Sequence, residues 1–436
     1  MSAEVSIGDG ARLTPHTLRA AIIGEVHARP FTSIETPRRV LHFAFDTGGE
    51  RAQADRTALV DFLVGRGLTP PKPADKQHRA MLGGTVMRWE QHSEFTTYTF
   101  EMPSEPAGGV PFHPPASAIA APMKALPQPG PLLVALDLHL IADDGRISLE
   151  RLFDLNSMAV AENSDGKAMY ACDFHMDAGG FVRILVVDRG LGAERAGALV
   201  QRLVELETYR TLALLGLPEA QRLTPSIGRI EQRLAEITEQ MQRAAELVDN
   251  HRLLEELAAL AAELEAGAAA SLFRFGASRA YDEIVHLRLQ TIGERKVGGY
   301  PTWSSFLARR MAPAMRTCIT TQERQESLSR KLSRAANLLR TRVEVEVQQQ
   351  NRDLLKSMNE RTRLQLRLQA TVEGLSVAAI SYYVVGLFGY LVKGTHEAGL
   401  HTIDPTLATA LFVPIAVLAI AWVVRRIRRR HIAGAE

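Results

Sequence analysis

The stretch Leu364–Gly394, LQLRLQATVEGLSVAAISYYVVGLFGYLVKG, changes character in its middle. Up to Glu373 apolar residues alternate with polar and charged ones; from Gly374 to Val392 nineteen residues pass without a charge. A run of that length crosses roughly 30 Å of hydrocarbon as an α-helix. Pro405–Val424 is a second such run, of twenty residues. So few charges weigh against a pair of buried core helices. Arg361, Arg363 and Arg367 precede the first run, and Arg425, Arg426, Arg428, Arg429 and Arg430 follow the second. The connection Lys393–Asp404 sets one Lys against Glu397 and Asp404. Because basic residues stay on the cytoplasmic side, the expectation is a multi-pass inner-membrane protein with both termini cytoplasmic. The opening MSAEVSIGDG, without a basic start or an apolar core, does not read as a signal peptide.

Upstream, an apolar seam runs Leu328, Leu332, Ala335, Leu339, Val343, Val347, Gln350, Leu354, Met358, Arg361, Leu364, Leu368, Val372 and Leu375: thirteen steps over 47 residues, about 3.6 per step. That is the period of a straight helix. Ala379, Tyr383, Gly386, Tyr390 and Lys393 prolong it, and no proline lies between Pro313 and Val392. One very long stalk helix, on the order of 120 Å, is expected from the rise per residue. Its seam outruns what a 200-residue domain covers, so copies of the chain itself are the expected partner.

The remaining length divides into further units. Val40–Phe45, Thr85–Phe100 and Leu132–Ile141 have the patterning of strands, and Arg51–Val64 that of a helix. Pro103–Pro131 holds nine prolines and is expected as a surface strap. Ser157–Asp188, with turns at Asn163–Gly166 and Asp177–Gly180, suggests an antiparallel meander, closed by a helix from Ala193 to about Leu215. Beyond Pro225, Ile230, Leu234, Ile237, Met241, Ala244, Val248 and His251 step as a heptad seam. A turn is expected near Gly267 and a returning helix over Ser278–Arg295. The expected fold is therefore an α+β cytoplasmic domain with an antiparallel or mixed sheet (1–217), a helical hairpin (218–300) and a stalk helix (301–374). Transmembrane helices (375–392 and 405–424) around an outer loop (393–404) and a basic tail (425–436) complete it.

A net charge of +2 argues against a nucleic-acid binder. Two distant cysteines support neither a disulfide framework nor a zinc site. Phosphate-loop, HExxH and GxSxG motifs are absent, so no catalytic set and no cofactor are expected. His139, Asp143, Asp173 and His175 could meet, but the solvent face of a sheet is the favoured placement. Arg29, Arg38 and Arg39 could hold an anion, or pair with local carboxylates. In EVHARPF (Glu25–Phe31), Pro30 holds Arg29 extended. Glu25, His27 and Arg29 then share a face. That face suits acid–base chemistry or, in the favoured reading, a polar joint. His396, Glu397, His401 and Asp404 would form a cation-attracting ring at a pore mouth if repeated around an oligomer. Tyr383, Gly386 and Tyr390 are the candidate pore-lining residues, with small-residue helix packing the alternative.

The strings EVHARPF, FLARRMAPAMRTC (Phe306–Cys318) and Leu364–Gly394 resemble a bacterial family of uncharacterised membrane-anchored proteins, a domain of unknown function. The order of parts resembles the CorA-type magnesium channels, pentamers whose long helix lines the pore. Their outer Gly-Met-Asn has no counterpart; the chain reads Gly389-Tyr-Leu-Val-Lys393 there. The resemblance implies a CorA-like homo-oligomer conducting or regulating a divalent cation. A membrane-anchored scaffold without transport activity is the alternative.

Overall fold

The computed structural model describes residues 5–7, 11–14, 16–19, 22–23, 31–104, 110–243, 247–397 and 404–432. The chain forms two compact units: Met1–Gln242 with Glu256–Ala335, and Arg243–Glu255 with Ala336–Glu436.

The first unit is α+β. Strands β1 (Val5–Ile7) and β2 (Ala11–Leu13) pair antiparallel. Next come β3 (Arg38–Asp46), helix α1 (Arg51–Val64), β4 (Gln77–Leu82), β5 (Thr85–Gln91), β6 (Phe95–Pro103), short helices α2 (Ala116–Ile119) and α3 (Ala121–Lys124), and β7 (Leu132–Ala142). β8 (Ala159–Glu162), β9 (Ala168–Cys172), β10 (Val182–Asp188) and helix α4 (Ala193–Leu214) follow. Helices α5 (Gly216–Arg243) and α6 (Leu247–Ile292), β11 (Arg295–Lys296), α7 (Trp303–Glu397) and α8 (Pro405–Ile432) complete the chain. Nine strands form one sheet in the order β11-β8-β9-β10-β7-β3-β6-β5-β4. Only β10 and β7 run parallel, so the sheet is mixed.

Strand alternation sends each strand's side chains to two faces. On one face Val40, Leu136, Leu138 and Ile184 pack with Leu199 and Leu203 of α4 and with Val285, Trp303 and Phe306 of the helices beyond. The other face carries two apolar clusters. Leu41, Phe43, Trp89 and Tyr98 meet Leu59 and Phe62 of α1; Ile141, Val160 and Leu185 meet Phe112 and Phe153.

Several boundaries differ from the expectations. The span Thr85–Phe100 is two strands, because His92 N–H donates to the Phe95 carbonyl at 2.8 Å and closes a turn. β4 was not expected, although Gly83-Gly84, with Gly83 at φ +62°, is the turn that joins it to β5. The proline-rich strap contains α2 and α3 among its described residues. No turn occurs near Gly267, since α6 runs through it. A Cβ there would stand 3.4 Å from Leu223 and 3.9 Å from Gln325, where α5, α6 and α7 meet. The heptad seam is buried only from Ile230 to Met241. α5 ends at Arg243, Ala244 lies outside the described residues, and Val248 is 77% exposed while Asn250, Leu253 and Leu257 are buried in its place.

The long helix begins at Trp303, ten residues before Pro313. Pro313 lacks the N–H that would bond back to Arg309; burial of Met311, Ala314 and Met315 holds the turn nonetheless. Leu328 and Leu332 of the seam are buried within their own unit. In the second unit Leu253 and Leu339 are buried, and Asn250 Nδ2 donates to Glu346 Oε2 at 3.3 Å. From there the seam lies open: Leu354 is 61%, Leu364 64% and Leu375 75% exposed.

α4 begins against the extended segment Phe31–Ile34. Ile34 N–H donates to the Ala193 carbonyl at 2.9 Å. A Cβ at Gly197 would lie 1.8 Å from the Thr32 carbonyl oxygen, so only glycine fits. Gly197→Ala should destabilise the first unit by about 3 kcal/mol, from overpacking against backbone. Gly228→Ala, in the interior of α5 with nothing within 4 Å of its added Cβ, should stabilise by roughly 0.5–1 kcal/mol. Thermal melts of both variants would check this pair.

Candidate functional site

A charged residue in the middle of LLVALDLHLI needs a partner once the strand is buried. Asp137 of β7 finds it in Arg39 of β3, the next strand. Arg39 Nε donates to Asp137 Oδ1 at 2.8 Å and Nη2 to Oδ2 at 2.6 Å, while Nη1 donates to the Pro114 carbonyl at 2.6 Å. Both residues are almost fully buried, Asp137 at 0% and Arg39 at 3% exposure. Burial pushes the Asp137 carboxyl above the usual carboxylate range, and the Arg39 guanidinium pulls it back.

His139, two residues along β7 and also at 0% exposure, completes the group. Its Nδ1 accepts from the Phe112 N–H at 3.3 Å, which leaves the ring proton on Nε2. That atom has no hydrogen-bond partner among the described residues and lies 3.7 Å from Asp137 Oδ1. Burial, with Arg39 adding to it, lowers the imidazole to about 3. Phe112, at φ +65°, lays its ring 4.7 Å from the imidazole. The network thus ties Phe112 and Pro114 of the strap to the sheet, between the two apolar clusters.

A second buried imidazole, His42, bridges the opposite face to α4. Its Nδ1 is 2.9 Å from Thr99 Oγ1 and its Nε2 3.0 Å from Thr208 Oγ1. Burial first, then Arg88 and His92, lowers it to about 3. Asp55 accepts from Trp89 Nε1 at 2.9 Å and Tyr98 Oη at 2.7 Å, a third buried polar link.

The expected quartet does not assemble. His139 and Asp173 are buried rather than on a solvent face, because both faces of the central strands are covered. Asp143 takes Arg189 Nε at 2.8 Å, and Asp173 accepts the backbone N–H of Asp154 and of His175. His175 Nδ1 is 3.1 Å from Ser157 Oγ. Arg38 turns away from Arg39, with Nε 3.6 Å from Glu101. Glu25, His27 and Arg29 lie outside the described residues. The segment that follows them is clamped to the sheet end, where Thr36 Oγ1 donates to Asp188 Oδ2 at 2.6 Å. A cleft of about 520 Å³ between α6 and α7 is edged by Asp282, His286 and Glu294. Glu294 is occupied there by Tyr170 Oη and by the N–H of Ser304.

Residues 14–431 match the family described as "Protein of unknown function (DUF3422)". The chain belongs to this DUF3422 family. No curated protein and no solved structure matches it.

This DUF3422 chain has two helices long and apolar enough to cross a membrane, the C-terminal part of α7 and most of α8. They pack as an antiparallel pair: Phe388 stacks on Phe412 at 3.9 Å between centroids, and Gly389 meets Thr409. Ser381 and Ala416 are buried. Tyr383 and Tyr390 lie on the side of α7 away from α8, 70% and 80% exposed, and nothing lies within 4 Å of a Cβ built at Gly386. Asp404 starts α8, its Oδ1 accepting the Thr406 N–H at 2.9 Å and the Thr406 hydroxyl. These bonds, the hydroxyl's above all, hold its carboxyl below the usual range, with His396 adding to them. His396 and Glu397 are exposed at the end of α7, and His401 lies outside the described residues.

Asp137→Asn should cost roughly 3–5 kcal/mol by leaving Arg39 buried without its counter-charge, read as a lowered denaturation midpoint. His42 and His139 stay neutral in the fold down to about 3, whereas the unfolded chain takes up their protons near the ordinary imidazole value of 6.5. Between those values the unfolded state binds more protons, so stability rises with pH and is lost as pH falls. His139→Gln should make the loss between pH 7 and pH 5 shallower by about 2 kcal/mol. Denaturant unfolding at both pH values checks it.

Proposed function

We propose that this protein is an inner-membrane homo-oligomer with cytoplasmic termini, in which α7 is the axial helix, and that it conducts or regulates a cation. The observation that carries this reading is the seam of α7. From Leu354 on, its apolar residues find little cover among the described residues: Leu354, Met358, Leu364, Leu368, Val372 and Leu375 are each more than half exposed. Full burial of one such side chain is worth about 1.5–3 kcal/mol. A row of them is a strong drive to association, and a straight-helix repeat suits a bundle of equivalent helices. The row continues into Tyr383, Gly386 and Tyr390, on the side of α7 away from α8. Copies meeting through the seam would therefore place that face toward the common axis and α8 toward lipid. His396 and Glu397 would then ring the outer end.

Lys393, one turn beyond Tyr390 on that face, favours a second reading. A ring of ammonium groups repels cations, which suits a membrane-anchored scaffold built on the same oligomer and carrying no ions.

Disulfide trapping through Leu354→Cys or Leu364→Cys should give covalent oligomers of the full-length protein, because the native Cys172 and Cys318 are both buried. A monomer under those conditions would overturn the oligomeric channel and leave a membrane anchor. Reconstituted into liposomes, the protein should pass magnesium, nickel, cobalt or potassium above the level of empty liposomes. Trapped oligomers with no flux of any of them would leave the scaffold.

A further inference from the structure

The pairing of Phe388 with Phe412 and of Gly389 with Thr409 sets the register of the apolar hairpin. Followed toward the other end of the hairpin, it brings Arg425 and Arg426 of α8 level with Gly374 and Glu373 of α7. Arg428, Arg429 and Arg430 then approach the level of Arg367. Basic residues far apart in sequence therefore gather in one layer at the end of the two apolar runs. From Pro405 to Ile432, α8 carries no Asp or Glu at all. Glu373 is the carboxylate of α7 at this level, with Arg367 further along the helix.

A second observation fixes what this layer faces. Trp422 is 59% exposed, one turn before the basic run, and the Arg426 guanidinium lies 5.0 Å over its ring centroid. An exposed indole at the end of an apolar helix sits at the level of lipid headgroups. The stack holds the Arg426 fork at that same level. Beside it on α7, Gly374 has no side chain, and nothing lies within 4 Å of where its Cβ would be. The exposed Arg425 and the stacked Arg426 thus stand beside an exposed aromatic ring, with open space at Gly374 on α7. Guanidinium forks match phosphate oxygens in pairs.

We infer that this layer, centred on Trp422, Arg425 and Arg426, is a binding site for the phosphodiester headgroup of an anionic phospholipid in the cytoplasmic leaflet. The inference rests on the membrane reading given above. A phospholipid supplies the phosphate at the depth of Trp422 and covers the apolar faces below it with its chains; free phosphate supplies only the first.

Full-length protein in detergent would be titrated with short-chain phosphatidylglycerol, phosphatidylcholine or inorganic phosphate, with the melting temperature as readout. Phosphatidylglycerol should raise it saturably and phosphatidylcholine should not. Arg425→Gln with Arg426→Gln should weaken the apparent affinity by on the order of tenfold or more. Trp422→Phe, which keeps an apolar ring, should weaken it less. Equal shifts with both lipids, or a phosphatidylglycerol shift unchanged in the double variant, would overturn the site. A shift reproduced by inorganic phosphate alone would overturn the lipid assignment. In a separate arm, wild-type protein that incorporates into neither phosphatidylcholine vesicles nor 3:1 phosphatidylcholine–phosphatidylglycerol vesicles would overturn the membrane reading itself.

Discussion

One helix of 95 residues presents more apolar surface than a single copy of this chain covers. The hairpin α5–α6 covers the early turns, where Leu328 and Leu332 are buried. The sheet and α4 brace its first residues through Trp303 and Phe306. α8 covers one side of its last apolar stretch through Phe412 and Thr409. Between these lies a length with no cover, and a functional reading has to account for it.

The head domain meets a different constraint. A mixed nine-stranded sheet covered on both faces cannot leave a charge unpaired in its middle. Arg39 and Asp137 neutralise one another there, with the Pro114 carbonyl taking a third N–H. Such a pair contributes little net stability over an apolar equivalent, but breaking it is costly. Its effect is geometric. One guanidinium on two strands and a strap residue fixes how the long proline-rich connection crosses the sheet.

Much of this architecture was legible in the residues. β3, β7, α1 and α4 have clean periodicity because each has one buried face or two. The uncharged runs of α7 and α8 stand out by length and hydropathy. What escaped lay where local signals conflict with tertiary packing. Gly267 and its alanines look like a turn by composition, yet lie inside α6. In Thr85–Phe100 the polar run Glu90–Glu94 was the available signal for the turn between its two strands. Asp137 was overlooked among candidate residues although its position in an apolar run was the available signal. Its partner Arg39 had been grouped with Arg38, whose side chain points elsewhere. The EVHARPF residues Glu25, His27 and Arg29 lie outside the described residues.

The change of partner along α7 near Leu339 also has a thermodynamic side. Burial before that point is made within one chain and is independent of protein concentration. Burial after it, if made between copies, obeys mass action and strengthens as the copies are confined together. Embedding the last turns in a bilayer restricts neighbours to two dimensions and raises their effective concentration. The same seam would then be idle in dilute solution and engaged in the membrane, so that assembly is coupled to anchoring without any separate signal.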